Sequence, residues 1–134
     1  MNPEIFRTAL SMSETTGFAF ITTADSAGLP HLSITNRLVR DHGDRIYSSA
    51  WNCPITITNL SENPHCTLVI WDQEQDTGYQ LLCTMVQMEQ TGFLDGYDAR
   101  LDVHSDIPKV QWKIVFRVIR ITGFRHAPHS DREE

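Results

Sequence analysis

A chain of 134 residues, 40% apolar and 21% charged, has the length of one domain and the apolar content for a packed core. That composition excludes wholesale disorder and a disulfide-dependent miniprotein. Its formal charge of −6, from 17 acidic and 11 basic residues, supplies no footprint for phosphate-backbone binding, so nucleic acid is not an expected partner.

No apolar run approaches the ~20 residues that span a bilayer as a helix, and the N-terminal stretch around Glu4 and Arg7 has no hydrophobic signal core. A cytoplasmic protein with no membrane partner is expected. Cys53, Cys66 and Cys83 form no CxxC. Being odd in number, they leave at least one thiol free within a monomer, which suits a reducing compartment.

Asn2-Pro3-Glu4 predicts a helix start: a capping side chain, proline at the first helical position, and an acid favoured by the dipole. Ile5, Phe6, Ala9, Leu10 and Met12 follow at helical spacing. Gly17 to Thr23 reads as the first strand, and Asp25 to Gly28 as turn chemistry. His31 to Arg40 reads as a second strand, Asp41 to Asp44 as a hairpin turn, and Arg45 to Ala50 as a third strand. A short helix is predicted over Pro54 to Leu60, stopped by Asn63-Pro64.

Cys66 to Asp72 and Tyr79 to Glu89 are strands four and five, joined by a polar connector. A short helix is expected near Tyr97 to Leu101. Val110 to Gly123, alternating apolar with polar residues, is the last strand, and 126–134 reads as a flexible polar tail. The fold class is therefore mainly β: a six-stranded antiparallel barrel with short flanking helices, in a single domain over 1–134.

Chemical signatures are sparse. No GxGxxG, P-loop, HExxH, EF-hand or GxSxG pattern occurs, so catalysis by side chains alone has no marker, and catalytic residues stay unassigned. His126 and His129 read as solvated tail residues rather than metal ligands, and no metal site is expected. Asp102, His104 and Asp106 read as a surface cluster. The best candidate site is Tyr47 to Thr56, which leaves a strand and enters a helix near Thr56. Hydroxyls and free N–H groups there suit a phosphate. From composition alone, an ordinary strand–helix connection explains the same stretch. Trp51 and Trp112 could flank a flat ring, but tryptophans are more often simply core or interface residues.

In order and spacing, several pieces resemble the pyridoxamine 5'-phosphate oxidase-like split barrels that bind flavin mononucleotide (FMN), above all their smallest members. They are Ala19 to Thr23, Gly28-Leu29-Pro30-His31, Arg45 to Ser49, Thr58 to His65 and Gly78 to Leu81. The resemblance covers roughly Phe18 to Phe124. It implies a split β-barrel, a homodimer with flavin at the subunit boundary, and a flavoprotein active in electron transfer or in reducing or oxidising a small molecule. The redox partner and substrate are left unknown.

Residue by residue, the resemblance puts Ser33 and Thr35 on the strand beside the flavin. Ser48 and Ser49 fall near the phosphate and ribityl chain, Thr56 at the phosphate, and Trp112 beside the ring. Ile55 is the departure, since relatives carry Lys or Arg at the positions of Ile55, Thr56 or both. Arg37 and Arg40 read as exposed strand charges, and Cys83 as barrel packing. Two alternatives follow: a module of the same fold that has lost flavin, or one holding a deazaflavin or haem, with His31, His65 or His104 available to the latter.

Overall fold

Helix α1 (Pro3–Thr16) begins where the sequence predicts. The Asn2 carboxamide oxygen accepts from the N–H groups of Glu4 and Ile5, and Gly17 ends the helix at φ +85°, donating its N–H to the Ser13 carbonyl. An acceptor at the start and a left-handed residue at the end satisfy groups that a helix leaves open. This computed structural model describes residues 1–93, 110–127 and 129–134. The expected helix near Tyr97 to Leu101 lies outside them.

After α1 come β1 (Phe18–Ala24), β2 (Pro30–Asn36), β3 (Val39–Arg40), β4 (Arg45–Ala50) and α2 (Pro54–Glu62). They are followed by β5 (His65–Asp72), β6 (Thr77–Phe93), β7 (Val110–His126) and β8 (His129–Glu133). The strands form one sheet in the order β2-β1-β5-β6-β7-β4-β3, with β8 added to β7. Every pairing is antiparallel.

Register explains the core. Ile21, Leu68, Leu81 and Ile121 face one another across β1, β5, β6 and β7, and all four are fully buried. Ile46, Phe116 and Met85 make a second row across β4, β7 and β6. Period-two alternation puts these side chains inside, and α1 adds Phe6 and Ala9. Among the described residues no helix is long and apolar enough to cross a membrane.

The antiparallel barrel with short helices stands, but the described residues hold eight strands rather than six. The expected second strand is broken into β2 and β3 at Arg37-Leu38. Ser13 of α1 holds the break: its Oγ accepts the Leu38 N–H at 2.9 Å and has the Leu10 carbonyl, at 3.1 Å, as its nearer acceptor. The Leu38 N–H is thereby withdrawn from the ladder.

The polar segment expected as a flexible tail forms β8 instead, with Thr122 opposite Glu133 through to His126 opposite His129. All five of its residues are exposed. Backbone pairing rather than an apolar face holds it, which is why hydropathy misses it. Asp76, in the β5–β6 turn at φ +51°, braces the hairpin. Its carboxylate accepts the N–H groups of His126 at 2.9 Å and Ala127 at 3.0 Å.

Those two N–H groups hold the Asp76 carboxyl below its ordinary value of 3.8. A lowered folded-state pKa stabilises above the unfolded value, and the contribution is lost as pH falls through the folded one. Amide-exchange protection of β8 is therefore expected to fall on acidification below the ordinary carboxylate range. Asp76→Asn keeps the left-handed turn and removes this pH dependence. A variant with unchanged acid sensitivity would place the trigger elsewhere.

Candidate functional site

The sheet path ends on β2 at one side and on β4 with its short partner β3 at the other. Between β2 and β4 there is no ladder, and side chains close the seam. Thr35 Oγ1 lies 2.9 Å from Ser48 Oγ, and the Asn36 amide donates to the Ser49 carbonyl at 2.6 Å. One step along β2, Ser33 Oγ lies 2.7 Å from Thr56 Oγ1 on α2. Thr35, Ser48 and Thr56 are buried, so each hydroxyl needs the partner it has. An unpartnered buried hydroxyl costs about 1–3 kcal/mol.

Four expected site residues, Ser33, Thr35, Ser48 and Thr56, thus meet in pairs at one seam. Ser49 joins through its backbone carbonyl. Trp51 and Ile55 flank the seam in the open, 43% and 51% exposed. Trp112 stands opposite Ala50 in register and packs against the buried cluster.

Helix α2 begins without a side-chain cap, because Cys53 occupies the N-cap and makes no capping bond. Pro54 has no N–H, which leaves the N–H groups of Ile55 and Thr56 without acceptors inside the helix. An anion is the natural partner of such a start. The chain supplies no cation beside it in sequence, since no Lys or Arg occurs between Arg45 and Arg100.

The sequence reading gave no role to three asparagines, although Asn52 lies within its candidate stretch. Asn59 donates to Thr23 Oγ1 at 3.1 Å beneath α2, and Asn36 bridges the seam. Asn52 is buried at the strand–helix turn; its amide donates to the Ala50 carbonyl at 3.3 Å, while its Oδ1 has no partner. An amide immediately before the helix-starting Cys53-Pro54 was the available signal. His31 Nδ1 is likewise buried without a partner.

His31 and His65 lie on β2 and β5, which β1 separates, and His104 lies outside the described residues. No group of three metal-binding side chains occurs among the described residues. Cys66 and Cys83 face each other across β5 and β6. Burial pushes the Cys66 thiol up to about 12; burial, then its neighbour, raises Cys83 well above its ordinary value. Both remain protonated packing groups rather than nucleophiles.

No protein-family model matches the chain, and no curated protein matches it. Solved structures do. An FMN-binding protein from Syntrophomonas wolfei aligns over 90% of this chain and 86% of its own, at TM-score 0.67 and 16% identity. A Clostridium acetobutylicum protein of the pyridoxinephosphate oxidase family, related to general stress protein 26, aligns over 99% and 96%, at TM-score 0.65 and 15% identity. The fold is that of the pyridoxamine 5'-phosphate oxidase-like split barrels. An F420 reductase has it too, over 83% of this chain and 93% of its own, at TM-score 0.55 and 13% identity.

In this split barrel the seam and the uncapped α2 start lie on neighbouring elements. They present neutral donors and two exposed apolar side chains, Trp51 and Ile55.

Proposed function

We propose that the chain binds FMN at the β2–β4 seam and the start of α2, and acts in electron transfer or in reducing or oxidising a small molecule. The observation that carries this reading is the pairing of Ser33 with Thr56 beside an α2 start whose Ile55 and Thr56 N–H groups lack acceptors. The Asn52 Oδ1, buried without a partner at the same turn, would accept from a cofactor hydroxyl rather than from the phosphate. Neighbours of the same fold named as FMN-binding support the choice of flavin. Ile55 and Thr56 would hold the phosphate through backbone N–H groups, with Ser49 nearby. Trp51, 43% exposed beside the seam, would shield the ring from water. FMN supplies the redox chemistry when bound.

A homodimer belongs to the same reading. Ile34 and Phe20 face each other on the outer side of β2 and β1, next to Val69 on β5. Leu32 and Ile34 are 61% and 58% exposed there, and Phe18 adds 38%. An apolar face of this kind marks an interface, and a second copy is its proposed occupant.

The visible spectrum of freshly purified protein, followed by titration with FMN and riboflavin, tests the cofactor. Flavin bands, or saturable quenching of added FMN, are expected. A Soret band would replace flavin with haem, and a colourless protein that ignores FMN would leave a flavin-free module. The F420 reductase of the same fold makes a deazaflavin the second titrant. Sedimentation of a stable monomer at micromolar concentration would sink the dimer.

A further inference from the structure

A groove of about 380 Å³ runs between α1 and the β2–β3 break. Arg7, Leu10 and Glu14 line it from the helix, where three- and four-residue spacing puts them on one face. Arg37, Leu38 and Arg40 line it from the strand side. Two contacts fix its direction. Ser13 Oγ holds the Leu38 N–H at 2.9 Å, and the Arg40 guanidinium lies 4.6 Å from the centre of the Phe6 ring. Leu38 therefore lies by the last turn of α1, and Arg40 by the turn that carries Phe6 and Arg7.

The groove thus has a cationic end, Arg7 with Arg40, and a mixed end, Arg37 with Glu14. Seven residue steps along the helix lead from Arg7 to Glu14, or ~10 Å at 1.5 Å per step. Leu38 is buried and Leu10 half-buried, which gives the middle an apolar floor. Stacking on Phe6 anchors Arg40 in place, so less freedom is lost when it binds. Among the described residues no carboxylate pairs with any of the three guanidinium groups; the ion pairs found there involve His42 and His129. In a chain of net charge −6, three arginines gathered on one groove, with no carboxylate partner among the described residues, call for an anion. The volume suits a small molecule.

We propose that this groove binds a small organic anion: a phosphate or carboxylate between Arg7 and Arg40, an apolar middle over Leu10 and Leu38, and a hydroxyl or ammonium donor facing Glu14. Guanidinium forks match both oxyanions, and the test separates the two.

The guanidinium Nε–H signals of Arg7 and Arg40 are followed by NMR while inorganic phosphate, or in a separate series succinate, replaces chloride at constant ionic strength. Saturable shifts are expected with at least one, and which one saturates identifies the head group. Arg7→Gln, at an exposed position, is expected to weaken binding about tenfold, read at Arg40. Arg132→Gln removes the same charge from exposed β8 and is expected to change affinity less than twofold. Shifts that stay linear with both anions overturn the proposal, as does equal weakening by the two variants.

Discussion

Phe116→Ala is expected to lower the unfolding free energy by about 3–5 kcal/mol, the range for truncating a buried aromatic side chain. Phe116 is fully buried on β7, between Ile46 on β4 and Met85 on β6. It therefore joins the short β3–β4 arm to the long β6–β7 hairpin. Collapse around the void would have to move strands on both sides, so little of the loss is recovered. Against the ~5–15 kcal/mol of an ordinary domain, the change removes a large share of the total. Urea melts followed by far-UV circular dichroism should show a lower midpoint with an unchanged slope. Ile119→Ala is the control: Ile119 is 50% exposed on the same strand, and a surface change of this kind stays within about 0.5 kcal/mol. Equal losses in the two variants would mean that Phe116 is not the joint described.

Alternation within β5, β6 and β7 was legible because each strand buries one face, and a two-residue period survives in any single sequence. The start of α1 was legible for the same local reason, since Asn2 acts within three residues of itself, whereas the Gly17 cap was read as the beginning of a strand. The break at Leu38 was not legible, because Ser13 holds it from 25 residues away. Strand β8 was missed because its support is a ladder with β7 and the carboxylate of Asp76, neither of which leaves an apolar pattern.

At the site, the resemblance named Ser33, Thr35, Ser48 and Thr56, but no spacing rule pairs residues 13 and 23 positions apart. Their pairing is a property of barrel closure. It gives these hydroxyls a structural task whether or not a ligand arrives. Asn52, inside the candidate stretch, drew no role because its burial depends on how the chain turns into α2.

Ile55→Lys is expected to tighten FMN binding roughly ten- to a hundredfold while leaving riboflavin nearly unchanged. Position 55 is half exposed at an α2 start that has two N–H groups to offer and no cation near it in sequence. A charge-assisted contact to phosphate is worth about 1.5–3 kcal/mol, which converts to that range of affinity. Ordering a long side chain at an exposed mouth, and screening by salt, pull the result toward the lower end. Riboflavin lacks the phosphate, so the ratio of the two affinities isolates the new contact from any change in the fold. Thr56→Ala acts differently: Thr56 is buried and paired with Ser33, so its loss unsettles the seam and should weaken both ligands together. If Ile55→Lys leaves the ratio where it was, and the wild type binds FMN, the phosphate does not sit at α2. It would then belong with Arg37, Arg40 or a partner chain, and the α2 start would be no more than a helix end.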